Sequence, residues 1–258
     1  MSMQGDEKMT NIYKDDAIQE GIKALAGLMK ESNYTVVLTG AGMDTESNIP
    51  DFRGKDGLWR KIDPRLVASV DTLEENYSMF REFYIERINR LKGVNPHEGH
   101  YILADFEEKG IIKSIATQNV SALHELAGSK NVNELHGNIR SIRCNNCNKE
   151  ANIDDFIKNH KCEFCGSNIL RPNVVLFGES LPAGTWNQAQ SDIRNSDLLI
   201  VIGTSLEVSP VNQLPLLTRG KRALINNEDV YTYYDFDIKL IGKAKDILIR
   251  LRDTYNKI

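Results

Sequence analysis

Apolar residues recur at two different spacings along the chain, and these spacings predict helices and strands in alternation. In DAIQEGIKALAGLMKESN, Ile18, Ile22, Leu25 and Leu28 fall on one face of an amphipathic helix. Runs of β-branched and apolar residues predict five strands, in YTVVLTGAGM, IIKSIATQNV, RPNVVLFGE, DLLIVIGTSL and KRALINNE. Helical patterns lie between or after them, in LADFEEK, AQSDIRNSD and AKDILIRLRDTY. Apolar strands that alternate with helices are typical of a parallel sheet covered on both faces, so we predict an α/β fold.

Residues that could bind a ligand or take part in a reaction follow the predicted strands. Ligands of parallel sheets bind beyond the carboxyl ends of the strands. The segments at that edge are residues 40–53, 118–124, 177–179, 203–205 and 226. The first begins with GAG, and a glycine loop between a strand and a helix can hold a phosphate on backbone N–H groups. We therefore expect these segments to line one crevice.

All four cysteines lie in CNNCNKEANIDDFIKNHKCEFC, as two Cys-x2-Cys pairs separated by 14 residues. This spacing predicts a structural zinc site with Cys144, Cys147, Cys162 and Cys165 as ligands, and a disulfide or redox pair is the alternative. A site with four thiolates has no open coordination position. The predicted zinc therefore stabilises a small module, and the reactive groups must lie elsewhere.

Composition narrows the class of protein. The 258 residues include 32 basic and 36 acidic side chains, a net charge of −4, which gives no electrostatic reason to expect direct nucleic-acid binding. The longest apolar run, LLIVIG, is far shorter than a membrane span, and MSMQGDEKMTNIYKDD lacks the apolar stretch of a secretory signal. We expect a cytoplasmic protein with no membrane partner and a flexible N-terminus over residues 1–12.

Several motifs together resemble those of the sirtuins, the NAD-dependent protein lysine deacylases. They are GAGMDTESNIPDFRG, TQNVSALHELAG, ELHGNIRSIRC with the two cysteine pairs, RPNVVLFGESLP and GTSLEVSP, in that order between Tyr34 and Asn226. The resemblance implies a Rossmann-like NAD-binding domain over residues 13–54, 93–139 and 171–258. It also implies a helical and cofactor-loop insertion at 55–92 and a zinc-ribbon module at 140–170, with NAD and acyl-lysine meeting between the domains.

The same resemblance implies a role for particular residues. His136 would be the general base, and Asn119 would orient the nicotinamide ribose. Val175, Phe177, Gly178 and Glu179 would line the acyl-lysine site, between FGES and SLEV, where a peptide adds as a strand. The implied NAD-binding residues are Gly40, Ala41, Gly42, Asp51, Phe52, Arg53, Gln118, Asn119, Ser121, Gly203, Thr204, Ser205 and Asn226.

The implied reaction transfers the acyl group from a lysine side chain to ADP-ribose and releases nicotinamide. The carbonyl oxygen of the acyl-lysine attacks the ribose, and a neutral imidazole suits the later removal of a proton from a ribose hydroxyl. Two alternatives stay open. A diverged ADP-ribosyltransferase or NAD glycohydrolase would release nicotinamide without an acylated peptide, and a binding module would release none.

Tyr84 and Arg87 lie three residues apart in FREFYIERINRL, which places them on one side of a helix. In some sirtuins a Tyr-x-x-Arg pair here binds the carboxylate of succinyl-lysine or malonyl-lysine. The alternative is an ordinary solvated helix with many charges. Both interpretations stay open at this point.

Three positions depart from the sirtuin pattern. Asp44 stands where the glycine loop usually has serine, and Asn48 stands where it usually has glycine, although asparagine tolerates left-handed backbone better than most residues. Ser121 stands where an aspartate that contacts the nicotinamide carboxamide is usual. A carboxylate at Asp44 would repel a pyrophosphate unless it turns away or pairs with Arg53 or Lys55. We expect these departures to lower turnover or alter inhibition by nicotinamide.

The other histidines are expected to be structural. His97 and His160 are predicted to lie on the surface, and His100 and His124 are predicted to be packed or to cap helices.

Overall fold

The computed structural model describes residues 10–50 and 63–258. The helices are α1 (Ile18–Glu31), α2 (Val70–Glu75), α3 (Tyr77–Arg90), α4 (Glu98–Glu108), α5 (Leu123–Leu126), α6 (Ile153–Lys158), α7 (Ala183–Asn195) and α8 (Ala244–Tyr255). The strands are β1 (Asn11–Tyr13), β2 (Thr35–Thr39), β3 (Ile112–Thr117), β4 (Val132–Glu134), β5 (Gly137–Cys144), β6 (Glu150–Ala151), β7 (Leu170–Val174), β8 (Leu198–Ile202), β9 (Lys221–Asn226) and β10 (Ile238–Ile241).

Seven of these strands form one parallel sheet in the order β1-β10-β9-β8-β2-β3-β4. All five residues of β2 and all five of β8 are buried, which explains why these strands read as continuous apolar runs. Val37 faces a core that α1, α4 and α8 share, whereas Val36 and Leu38 face the core on the other side with α7. The predicted parallel sheet with both faces covered is confirmed.

A second, smaller unit packs beside the sheet. Strands β6, β5 and β7 form an antiparallel sheet in that order. Its core joins Phe156 and Leu170 to Phe80 and Tyr84 from α3. The cysteines and the helical segment before residue 92 therefore share one hydrophobic core, next to the carboxyl ends of the large sheet.

Two expectations about elements need correction. RPNVVLFGE was expected to supply a strand of the parallel sheet, but β7 pairs antiparallel with β5 in the small sheet. The apolar composition of a strand predicts burial but does not identify the neighbour that buries it. Strand β1 begins at Asn11, inside the segment expected to be flexible, because it pairs in parallel with β10.

Helix α4 starts with a histidine that the sequence analysis placed on the surface. His97 is 8% exposed and is the N-cap of α4, where its Nδ1 accepts the N–H of Gly99 at 2.9 Å. The expectation for His97 was wrong, because the polar neighbours in NPHEGH gave no sign of the cap. His100 and His124 are buried and His160 is exposed, as expected.

Among the described helices, none is long and apolar enough to cross a bilayer.

Candidate functional site

A cavity of about 1220 Å³ lies between the carboxyl edge of the large sheet and the small unit. Typical small-molecule sites occupy roughly 300–1,000 Å³, so this cavity has room for more than one ligand group. The residues lining it that the sequence analysis named are Ala41, Gly42, Tyr84, Arg87, Gln118, Asn119, His136, Val175, Phe177, Gly178, Glu179, Gly203, Thr204, Ser205 and Asn226. Most of the expected crevice is therefore assembled in one place.

The glycine loop after β2 is held tightly against the loop after β8. The N–H of Gly42 donates to the carbonyl of Gly203 at 2.8 Å. A Cβ on Gly42 would lie 2.8 Å from the Cα of Gly203. Gly203 itself has φ +63°, and a Cβ there would lie 2.3 Å from the backbone nitrogen of Met43. Glycine at both positions therefore lets two backbone segments meet at the floor of the cavity.

The loop after β3 presents two amide side chains, each fixed by hydrogen bonds. Asn119 is 4% exposed, and its Nδ2 donates to the carbonyl of Gly40 at 3.0 Å. Its backbone N–H donates to Oγ1 of Thr117 at 3.0 Å. Gln118 donates through Nε2 to Oγ1 of Thr204 at 3.1 Å. Asn119 therefore has a preset orientation that does not depend on a bound ligand.

His136 follows β4, and its tautomer is defined by a backbone contact. Nδ1 lies 3.0 Å from the carbonyl oxygen of Gln118, which can only accept, so Nδ1 carries the proton. In the neutral ring Nε2 is then the nitrogen that can take up a proton. The ring lines the same cavity as Asn119. Nε2 is therefore the atom through which this ring could act as a general base.

The segment between β7 and α7 forms another wall of the cavity. The backbone N–H of Val175 donates to the carbonyl of His136 at 2.9 Å, which joins this wall to the proposed base. Phe177 is 42% exposed, and its N–H and carbonyl are bonded to Ala68 and Val70. One edge of this segment is therefore already paired, and an added strand must use the other.

Glu179 reaches the cavity, but its carboxylate is bonded to a buried guanidinium. Nη1 and Nη2 of Arg171 donate to its two oxygens at 2.6 and 2.9 Å. The N–H of Leu176 also donates to Glu179, at 2.8 Å. These bonds hold the pKa of Glu179 below its usual value against the opposing effect of burial. Arg171 had no expected role, and RPNVV gives no sign that its side chain is 0% exposed.

Tyr84 and Arg87 both line the cavity from α3, so they do not form a solvated face. Tyr84 is 2% exposed, and burial raises the pKa of its hydroxyl to about 12. The guanidinium of Arg87 lies 5.7 Å from the Tyr84 ring centroid and 5.6 Å from that of Phe83. Burial lowers the pKa of Arg87, so its charge lies in a poorly solvated part of the cavity.

Two of the departures from the sirtuin pattern meet behind the cavity. The hydroxyl of Ser121 donates to Oδ2 of Asp44 at 2.6 Å, and Nε2 of His100 lies 3.2 Å from Oδ1. Asp44 and Ser121 are each 4% exposed, and neither lines the cavity. Asp44 therefore turns away from the space where a pyrophosphate would lie. The third departure, Asn48, has φ 63° and ψ 24°, the left-handed conformation that suits asparagine.

The four cysteines form a compact cluster in the small unit, and their Sγ atoms all lie within 4.8 Å of one another. The pairs Cys144–Cys165 and Cys147–Cys162 are 3.6 and 3.7 Å apart. Four sulfurs at about 2.3 Å from a tetrahedral zinc ion would be separated by about 3.8 Å. The donor set and its spacing fit zinc.

Some expected site residues lie elsewhere. Gly40 and Ser121 do not line the cavity. Gly40 is bonded to Asn119, which does line it, and Ser121 is bonded to Asp44, which does not. Asp51, Phe52 and Arg53 lie outside the described residues, so their roles stay predictions. Lys243 and Ala244 line the cavity although no role was expected of them. They follow β10, a strand too short for the sequence pattern to indicate.

The fold combines a large parallel sheet, a glycine loop at its carboxyl edge and a cysteine module beside it. This combination is typical of α/β proteins that bind a nucleotide and carry a small metal-binding module. The profile of the Sir2 family matches residues 40–210. The chain therefore belongs to the Sir2 family.

Individual relatives cover most of the chain. It is 46% identical over 221 residues to an NAD-dependent protein deacetylase of Oceanobacillus iheyensis, covering 84% of this chain and 93% of that protein. It is 37% identical over 250 residues to NAD-dependent protein deacylase 2 of Archaeoglobus fulgidus, covering 93% and 98%. A solved Sir2 complex with a p53 peptide and NAD+ superimposes with a TM-score of 0.82 at 34% identity, covering 92% and 99%.

Proposed function

We propose that this protein removes acyl groups from lysine side chains of proteins in a reaction that consumes NAD. The observation that carries the proposal is one cavity that holds the glycine loop, Asn119 and His136 together. The relatives described above are NAD-dependent deacetylases and deacylases over most of the same length, which supports the same activity here.

Different residues of this chain would have different roles in the reaction. NAD supplies a glycosidic bond to a cationic nicotinamide, which is a good leaving group. The glycine loop, with Thr204 and Ser205 opposite it, would hold the phosphates on backbone N–H and hydroxyl groups. Asn119, fixed by Gly40, would orient the nicotinamide ribose. His136 would take a proton from a ribose hydroxyl on Nε2 while Nδ1 stays bonded to the Gln118 carbonyl.

The acylated lysine would enter beside Val175, Phe177 and Gly178. Since the backbone of Phe177 is paired with Ala68 and Val70, a substrate peptide would add along the opposite edge of this segment. Recognition through main-chain bonds implies weak selectivity for peptide sequence. The partners would then be acylated proteins of varied sequence.

The test is an assay of nicotinamide release with and without an acetyl-lysine peptide, for the unsubstituted protein and for His136→Ala. Peptide-dependent appearance of nicotinamide and O-acyl-ADP-ribose is expected, and His136→Ala should lower kcat at least about a hundredfold, the size typical of losing a general base. Release without peptide would indicate the glycohydrolase or ADP-ribosyltransferase alternative. Full deacylation by His136→Ala would refute the proposed chemistry.

Zinc would be held by Cys144, Cys147, Cys162 and Cys165, and its role would be structural because four thiolates complete its coordination. Cysteines that hold zinc as thiolates suit a reducing compartment, and we place the protein in the cytoplasm on that ground.

A second proposal concerns the acyl group. Arg87 places a poorly solvated positive charge in the cavity wall, next to the hydroxyl-bearing ring of Tyr84. A guanidinium in such surroundings favours a carboxylate, which it can bind through two hydrogen bonds. We therefore propose succinyl-lysine or malonyl-lysine as substrates in addition to acetyl-lysine.

The comparison that tests this proposal uses acetylated and succinylated versions of one peptide. Arg87→Met should reduce kcat/KM for the succinyl peptide at least about thirtyfold, because a buried charge pair is broken. The acetyl peptide should change by less than about threefold. Tyr84→Phe, which keeps the ring, should give the same pattern with a smaller loss. Equal losses on both peptides would refute the assignment.

A further inference from the structure

A buried carboxylate connects the segments that carry the site without lining the cavity itself. Asp44 directly follows the glycine loop, and its neighbours Met43 and Thr45 complete the turn. Its Oδ2 accepts from Ser121, two residues beyond Asn119, at a distance typical of a hydroxyl bonded to a charged oxygen. Its Oδ1 lies 3.2 Å from His100 in α4. One side chain thus bridges the glycine loop, the Asn119 loop and a helix of the core.

Each of these segments has a second contact of its own. Nε2 of His97 lies 2.6 Å from the carbonyl of Met43, so α4 contacts the glycine loop twice. The carbonyl of Ser121 accepts from Nε of Arg140 at 2.7 Å. Ala122, the next residue, has φ 60°, a conformation that alanine adopts rarely. The backbone around Ser121 is therefore in a shape that its contacts must maintain.

The two residues that depart from the family pattern are partners in one hydrogen bond, although they are 77 residues apart in the chain. Position 44 supplies the carboxylate and position 121 the hydroxyl. The contact needs one negative charge and one hydroxyl, so the two side chains could in principle be exchanged across it, but only as a pair.

We propose that Asp44 is a positioning residue for NAD cleavage and that it forms, with Ser121, a coupled pair whose members can be exchanged only together. This inference rests on the proposed function and deepens it. Asp44 acts through Ser121 on the Asn119 loop, and on the glycine loop through its backbone N–H, which donates to the carbonyl of Ala41 at 3.0 Å. It fixes the separation of the two segments between which the nicotinamide ribose would lie.

The charges explain why we expect a substitution at only one of the two positions to impair the site. Ser121→Asp places two carboxylates at hydrogen-bond distance in a buried site, where like charges repel strongly. Asp44→Ser leaves two hydroxyls and removes the charge opposite His100. Asp44→Ser/Ser121→Asp restores one carboxylate and one hydroxyl, with the carboxylate on the Asn119 side.

The experiment is a double-substitution cycle that measures kcat and KM for NAD, nicotinamide inhibition and the unfolding temperature. Ser121→Asp should lower kcat/KM for NAD about a hundredfold and Asp44→Ser about tenfold, and the double variant should return to within about tenfold of the unsubstituted protein. Independent residues would instead give about a thousandfold loss in the double variant. A double variant slower than both single variants overturns the proposal.

A matched control separates positioning from folding. Ser196 and Thr218 form another buried hydroxyl contact, at 3.0 Å, and neither residue lines the cavity. Ser196→Ala should lower the unfolding temperature and leave kcat and KM unchanged. If Asp44→Ser behaves in the same way at a temperature where it is folded, Asp44 is structural only and the proposal is wrong.

Failure of the proposed function would be seen separately. If the unsubstituted protein releases no nicotinamide with any acylated peptide, that function is refuted. The coupling of Asp44 and Ser121 is then tested by measuring the affinity of the four proteins for ADP-ribose by calorimetry. Ser121→Asp should weaken ADP-ribose binding and the double variant should restore it. Equal affinity in all four proteins would overturn the coupling.

Discussion

Two residues before His136, a carboxyl group keeps its proton to an unusual pH. Burial and the nearby negative charge of Glu125 raise the pKa of Glu134 to about 7, although Nδ2 of Asn138 donates to it at 2.8 Å. A raised pKa means that folding favours the protonated carboxyl. The stabilisation from this proton is fully present below the ordinary carboxyl pKa near 4.5 and is lost as the pH rises through about 7.

Replacing Glu134 with glutamine should therefore have an effect that depends on pH. The amide keeps the neutral form at every pH, so the stability of Glu134→Gln relative to the unsubstituted protein should rise between pH 5 and pH 8. Urea unfolding at several pH values measures this difference. The exposed Glu75→Gln serves as the control and should give a constant offset. If the difference in unfolding free energy between Glu134→Gln and the unsubstituted protein also stays constant with pH, the Glu134 carboxyl does not hold a proton in the folded protein.

At the scale of single residues, the sequence allowed a role to be predicted where a residue belongs to a short motif. His136, Asn119 and the glycine loop each belong to a local run of residues, and the structure brings them to one cavity. The sequence could not predict the contact of Asp44 with Ser121, since nothing local indicates a partner 77 residues away. His97 was misplaced for the same reason: polar neighbours suggested solvent, and the contact that buries it is with Met43.

At the scale of elements, the wall beside His136 depends on a buried ion pair. Arg171 is 0% exposed and donates to Glu179 and to the carbonyl of Val174. Glu179 also holds the N–H of Leu176. The turn between β7 and α7 is thus closed by one guanidinium and one carboxylate, and Phe177 lies inside it.

Breaking this pair should affect the peptide more than the dinucleotide. Glu179→Gln leaves a buried guanidinium without full compensation, which costs about 3 kcal/mol of stability. We expect KM for the acylated peptide to rise about tenfold and KM for NAD to change by less than about threefold. Steady-state kinetics and urea unfolding measure both effects.

The double variant Arg171→Met/Glu179→Gln should recover much of the stability, since no buried charge is left unpaired. It should not recover the peptide KM, because the turn is no longer closed. An unchanged peptide KM in Glu179→Gln would exclude a role for this pair in substrate binding.

The assignment of β7 shows where element prediction from sequence reaches its limit. RPNVV has the composition of a buried strand, and the strand exists. Its pairing with β5 depends on the close packing of Gly137, where a Cβ would lie 2.1 Å from the carbonyl of Asn173. Long apolar strands such as β8 were predictable because both faces are buried, whereas β1 and β10 are too short to give a pattern.

At the scale of the whole molecule, the cysteine cluster and the cavity share one hydrophobic core. Cys144 and Cys162 pack in the same cluster as Phe156 and Leu170, and this cluster continues to Tyr84 in the cavity wall. The cysteine cluster is therefore connected through one hydrophobic core to the part of the cavity wall that Tyr84 forms.

Removal of zinc by a chelator should accordingly destabilise the small unit first. Metal–thiolate bonds supply folding free energy to such modules, so the unfolding temperature should fall and a separate low-temperature transition should appear. Calorimetry with a parallel zinc assay measures this, and added zinc should restore the original trace. Complete loss of zinc with an unchanged unfolding trace would contradict a structural role.

The pairing of β1 with β10 has a consequence for the order in which the chain can fold. Asn11 pairs with Ile238, so the first described strand cannot pair until the last described strand, β10, has been made. Contacts between such distant segments slow folding, because a long loop must close before any bond forms. On the ribosome, β9 would stand as an open edge until the final stretch emerges, and a nascent chain would be most prone to wrong pairing in that interval.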